Sequence, residues 1–168
     1  AFHEEVAERV QARGGRRQWH ELARRLGALE STGGTSAEGA LRDVAVRLRR
    51  AGLVVLFSDL LVQPDETITA LKFLRHHGHE VLVFHLIDPG ERELPPASEA
   101  RFYDPETNQE LLVSVADIRA DYREAVNEAL AEWQRKLRPH GIDYQVVDTD
   151  KPLSMALRAY LRKRERLG

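Results

Sequence analysis

The chain contains no cysteine. Disulfides are excluded, as is every zinc or redox motif built on thiols, and the absence suits a reducing compartment. No apolar run approaches the roughly 20 residues that a membrane-spanning helix requires, and no secretory signal pattern is visible. Neither sign of charge is in excess: 25 Lys and Arg face 27 Asp and Glu, for a net charge of -2. Bulk attraction to nucleic acid or to an anionic bilayer is therefore not expected. Several catalytic signatures are missing too. The glycine-rich stretch 33–38 has no lysine and so is not a P-loop, and neither a Gly-x-Gly-x-x-Gly nor a Gly-x-Ser-x-Gly occurs.

What is present reads as a globular α/β chain. Its 168 residues, 42% hydrophobic and 31% charged, suit one domain with a real core. The stretch Gly52-Leu53-Val54-Val55-Leu56-Phe57-Ser58-Asp59 organises the rest. Its unbroken apolar run predicts a central parallel strand buried on both faces. It ends at Asp59, where open α/β sheets place their ligand crevice. Residues 80–87 (Val81, Leu82, Val83, Phe84, Leu86) predict a second buried strand, and residues 142–147 a third.

Helices are expected between them. Trp19, Leu22, Ala23, Leu26 and Leu29 form an amphipathic stripe over 18–29. Thr35 followed by Glu38 forms a capping box, which opens a helix running to residue 50. Residues 65–77 follow with Ile68, Leu71 and Leu74 on one face. Residues 116–138 carry Ile118, Tyr122, Val126, Leu130, Trp133 and Leu137, and a last helix after Pro152 points Leu153, Leu157, Tyr160 and Leu161 inward. Strand–helix–strand order predicts parallel pairing. Residues 91–115 interrupt the rhythm with turns at Pro95-Pro96 and 104–108, which predicts an inserted β-hairpin. The start at Ala1, inside patterned sequence, leads us to expect a portion of a longer chain; residues 1–13 read equally as helix or edge strand.

Thr35 and Asp59 stand out as candidate site residues. A hydroxyl and a carboxylate are hard oxygen ligands of the kind magnesium takes, with water completing the octahedral shell. Each has a simpler role as well. An N-cap Thr stabilises its helix by about 1 kcal/mol, and an acid at a strand end needs only solvent or a partner. Asp88 and Asp148 also follow strands; Asp88-Pro89-Gly90 reads most simply as a turn and Asp148-Thr149-Asp150 as a helix N-cap. His76, His77 and His79 around Gly78 lack metal-ligand spacing and read as a solvated helix end. His85, within a strand, reads as a satisfied core histidine. The arginine-rich tail 162–166 reads as a solvated helix end. Position 61 is leucine, so Asp59 lacks the second acid that a haloacid-dehalogenase-type phosphotransferase requires.

Taken in order, these pieces carry a resemblance. Gly33-Gly34-Thr35 before a helix and Leu53-Val54-Val55-Leu56-Phe57-Ser58-Asp59 resemble the second half of a von Willebrand factor A domain. With Ile87-Asp88-Pro89-Gly90-Glu91-Arg92-Glu93-Leu94-Pro95, Phe102-Tyr103-Asp104-Pro105 and Thr149-Asp150-Lys151-Pro152-Leu153, the chain is similar to the bacterial DUF58 family. The resemblance implies a three-layer, doubly wound, mainly parallel sheet over 1–168, with the hairpin inserted around 91–115. It also implies a metal-ion-dependent adhesion site for Mg²⁺ or Mn²⁺. Thr35 matches that site's second loop and Asp59 its third, while the first-loop Asp-x-Ser-x-Ser has no match in this sequence. A non-enzymatic, cytoplasmic adaptor working with a MoxR-type AAA+ ATPase follows as the implied function. The residues alone leave two alternatives open: a metal-dependent hydrolase pairing Asp59 with Asp88 or Asp148, or a scaffold with no ligand.

Overall fold

The computed structural model describes residues 10–11, 13–28, 37–48, 50–62, 64–104 and 108–165. The chain divides into two compact units, Ala1–Val54 with Leu61–Val81, and Val55–Leu60 with Leu82–Gly168.

The first unit is mostly helical. Helix α1 spans Arg16–Gly27 and buries none of its residues; Trp19 is 74% and Leu26 62% exposed. Its stripe is therefore amphipathic in pattern without being covered. Helix α2, Ala37–Arg47, packs against α3, Pro64–His76. Ala40, Leu41 and Ala45 on the one and Ile68, Ala70, Leu71 and Leu74 on the other are buried, the spacing of an apolar stripe on each helix. Gly78, at φ +83°, reverses the chain after α3, a left-handed conformation that glycine adopts without steric cost. The turn places His79 in the interior at 1% exposure, where the expected solvated position is overturned. Arg75 Nη1 donates to the His79 carbonyl at 2.8 Å, and the Glu80 N–H donates to the Gly52 carbonyl at 2.9 Å.

Most of the parallel sheet belongs to the second unit. Strands β1 (Leu53–Ser58), β2 (Glu80–Ile87) and β5 (Asp143–Asp148) are ordered β1-β2-β5. The central strand is β2, not β1 as expected, with Leu82 beside Asp143 through Ile87 beside Asp148 in register. Its run from Val81 to His85 is wholly buried, whereas Leu53, Val55 and Phe57 on β1 are 38–47% exposed. An unbroken apolar run alone does not tell a middle strand from an edge strand. Alternation along β2 separates its faces. Leu82, Phe84 and Val147 form one cluster with Tyr160 of α6 (Leu153–Glu165), and Phe57 stacks on Phe84 with ring centroids 5.0 Å apart. Tyr160 is the buried member of α6. Leu153, Leu157 and Leu161, expected inward, are 44–47% exposed.

The insertion is a hairpin, as expected. Strands β3 (Glu99–Asp104) and β4 (Gln109–Ser114) pair antiparallel, in register from Glu99 beside Ser114 to Asp104 beside Gln109. Helix α5, Val115–Leu137, follows directly and ties the insertion down: Tyr122 Oη donates to the Glu91 carbonyl at 2.7 Å and Arg119 Nη2 to the Pro95 carbonyl at 2.6 Å. Leu130, Trp133 and Leu137 bury its last turns. A short 3-10 turn, Arg138–His140, and Gly141 at φ +66° then lead into β5.

Candidate functional site

Each strand of the parallel sheet is followed by an aspartate: Asp59 after β1, Asp88 after β2, and Asp148 as the last residue of β5. Parallel strands bring these positions to one carboxyl edge, where open α/β sheets bind ligands. The edge uses the three acids differently.

Asp59 sits on a tight turn. The Leu60 N–H donates to Ser58 Oγ at 3.1 Å, and Leu60 itself holds φ +53° with its side chain buried. A left-handed leucine costs about 1 kcal/mol and persists only where its surroundings hold it. Burial of the leucyl side chain and the Ser58 hydrogen bond supply that hold. Between them Asp59 is exposed. On the neighbouring strand β2, His85 Nδ1 lies 2.7 Å from the Tyr144 hydroxyl on β5. His85 is 7% exposed. Burial pushes its pKa down, partly opposed by the Asp59 main chain and the Asp59 and Glu91 carboxylates. Burial also pushes the Tyr144 hydroxyl up, so it stays protonated.

Asp88 is a structural cap rather than a simple turn residue. It opens α4, Pro89–Arg92, in a capping box: its Oδ1 accepts from the Gly90 N–H at 2.8 Å while Glu91 Oε2 accepts from the Asp88 N–H at 3.1 Å. Its Oδ2 accepts from Thr149 Oγ1 at 3.0 Å. Asp148 does not serve as the expected cap of the last helix. Its Oδ1 pairs with Arg92 and its Oδ2 with Lys151. The hydrogen bond from Lys151, and then the Arg92 charge, hold its carboxyl below the ordinary range; the same pair pushes Lys151 upward. A shallow cavity of about 150 Å³ lies over these groups, lined by Pro89, Arg92, Glu93, Asp148, Asp150 and Lys151.

Of the two metal ligands expected, Asp59 is where the sequence put it, and Thr35 lies outside the described residues. Among the described residues no group of three or more His, Asp and Glu side chains comes together to hold a metal. Asp59 is an exposed carboxylate on a tight turn, a hard oxygen ligand of the kind divalent cations take. Sequence reasoning did not find the bond between His85 and Tyr144, nor the Arg92–Asp148–Lys151 cluster. The histidine was legible as a core residue needing a partner; the partner, 59 residues away, was not.

The family model for DUF58, a protein family of unknown function, matches residues 1–132. The chain belongs to the DUF58 family. Curated relatives include the uncharacterized protein Rv1480 of Mycobacterium tuberculosis, 29% identical over 148 residues, covering 85% of this chain and 46% of that protein. Uncharacterized protein MAV169 of Mycobacterium avium is 27% identical over 172 residues, with 94% and 95% covered. The chain thus spans about half the length of Rv1480. Among solved structures, an aerotolerance-related membrane protein from Bacteroides fragilis aligns with a TM-score of 0.52 at 14% identity, over 86% of this chain and 69% of the other. That likeness shows a shared fold. No helix among the described residues is long and apolar enough to cross a membrane.

Proposed function

We propose that this DUF58 chain is a non-enzymatic interaction module of the von Willebrand A type. Asp59, with Thr35, contributes to an adhesion-type site for Mg²⁺ or Mn²⁺, and a carboxylate of a protein partner completes the metal's shell. The partner in this reading is a MoxR-type AAA+ ATPase, and the setting is the cytoplasm, where ATP is available to it. The observation that carries the reading is the exposed Asp59 on an over-determined turn at the carboxyl edge of the sheet. A metal with one open position forms a strong bond to an incoming carboxylate, and the loops around it supply specificity.

The rival reading, a metal-dependent hydrolase, needs a second carboxylate free to hold a metal or to activate water. Asp88 spends one oxygen on Gly90 and the other on Thr149, and Asp148 spends its two on Arg92 and Lys151. This favours the interaction module. Its test is capture of a MoxR-type ATPase from the same genome by the full-length protein. Capture is expected with Mn²⁺, and loss is expected with EDTA or in Asp59→Ala. Capture that ignores both treatments would refute the metal-bridged mode.

A further inference from the structure

We propose that helix α1 docks the protein on a membrane surface rich in anionic lipid. Its uncovered apolar stripe enters the boundary between headgroups and acyl chains, and the arginines of its segment meet the lipid phosphates. The inference goes beyond the metal site proposed at Asp59 and does not depend on it.

Exposure, charge and the placement of charge converge on this helix. Trp19, Leu22, Ala23 and Leu26 recur at helical spacing, yet α1 buries none of its residues. Trp19, Ala23 and Leu26 are exposed and Leu22 is half-buried. The segment is also strongly basic. Arg13, Arg16, Arg17, Arg24 and Arg25 accompany a single acid, Glu21, over residues 13–27, in a chain whose net charge is -2. These charges are sorted around the helix. By helical periodicity, Arg16 and His20 border the stripe on one side and Gln18 and Arg25 on the other, while Glu21 lies opposite it. Glu21 pairs with Arg24 and Arg25, and Gln18 Nε2 donates to the Gln11 carbonyl at 3.0 Å. The helix is thus held from its polar side, and its apolar side stays open among the described residues.

A helix that lies in a membrane surface needs this combination: a narrow apolar arc with Trp and Leu, and a broad polar face rich in arginine. Tryptophan suits the headgroup level, where its apolar ring and polar N–H are both accommodated. Arginine stems lie along apolar surface while their guanidinium groups reach the phosphates, which they grip through paired N–H donors. A second copy of α1 would set the same arginines against one another, and neutral lipid would leave them without counter-charge. The near-neutral balance of the whole chain does not oppose this attraction, because it acts locally, within about 10 Å at ordinary salt.

The test uses the full-length protein and vesicles either of phosphatidylcholine alone or of equal parts phosphatidylcholine and phosphatidylglycerol. Wild type should float with the mixed vesicles and not with the neutral ones. Trp19→Ser with Leu26→Ser, and separately Arg13→Gln with Arg16→Gln, should each lower the affinity for mixed vesicles by about tenfold or more. Leu111→Ser, at a hairpin leucine as exposed as Leu26, should leave it unchanged. A single-cysteine Leu26→Cys form carrying a polarity-sensitive fluorophore gives the local readout: its emission should shift to the blue on mixed vesicles only. No flotation with mixed vesicles, equal binding to both compositions, or unchanged affinity in the Trp19 and Leu26 double variant would overturn the inference. So would an emission at position 26 already blue-shifted before vesicles are added, which would show another protein surface on the stripe. Should the serine variant not fold, the labelled form decides: emission unmoved by mixed vesicles would overturn the inference.

Discussion

Asp148 shows how pairing shapes the carboxyl edge. Its side chain is 13% exposed and meets Arg92 and Lys151 at once. Its folded pKa is depressed, so it adds stability above the unfolded carboxylate value of about 3.9, and that stability is lost as pH falls through the folded value. Wild type should therefore lose urea resistance between pH 5 and pH 2 more steeply than Asp148→Asn, and Asp148→Asn should be the less stable of the two at pH 7. Equal urea midpoints at pH 7 would show the pair to be energetically idle. Gly141 offers a second residue-level test. At φ +66° a side chain is strained, and Gly141→Ala should cost about 1–2 kcal/mol in chemical denaturation. The contact of His85 with Tyr144 belongs to this scale too: it joins positions that no local pattern relates.

Among elements, β2 is the most enclosed strand of the parallel sheet. Phe84 is enclosed among Leu82, Val147 and Tyr160 and stacks on Phe57. Phe84→Ala should cost about 3–5 kcal/mol, read as a lower denaturation midpoint, whereas truncation of the exposed Leu157 should cost far less. Much of this was legible beforehand. The unbroken run at 80–87, the turn residues of the inserted hairpin and the stripe of α5 each state their element locally, by period or by turn chemistry. What failed was placement. The apolar run of β1 looks like that of β2, and only pairing tells which lies in the middle. Asp88-Pro89-Gly90-Glu91 did carry the signature of a capped helix, an N-cap acid with a glutamate at the third helical position and a proline at the first, hidden by its resemblance to a turn. His79 was misplaced because its burial comes from the reversal at Gly78, not from any periodicity.

At the level of the whole molecule, family membership and fold are established while the activity is an inference from one edge of the sheet. The position of Asp59 was legible because the end of a buried parallel strand is where such sheets act. The division of labour among Asp59, Asp88 and Asp148 was not, because it depends on Thr149 reaching Asp88 and Arg92 reaching Asp148 from elsewhere in the chain. That division makes the central claim measurable. Mn²⁺ should be titrated into the full-length protein and into Asp59→Ala, Asp88→Asn and Asp148→Asn, with binding followed by the loss of free-ion paramagnetic signal. The account predicts one saturable site, abolished in Asp59→Ala and retained in the other two. Wild-type Mn²⁺ affinity in Asp59→Ala would contradict it.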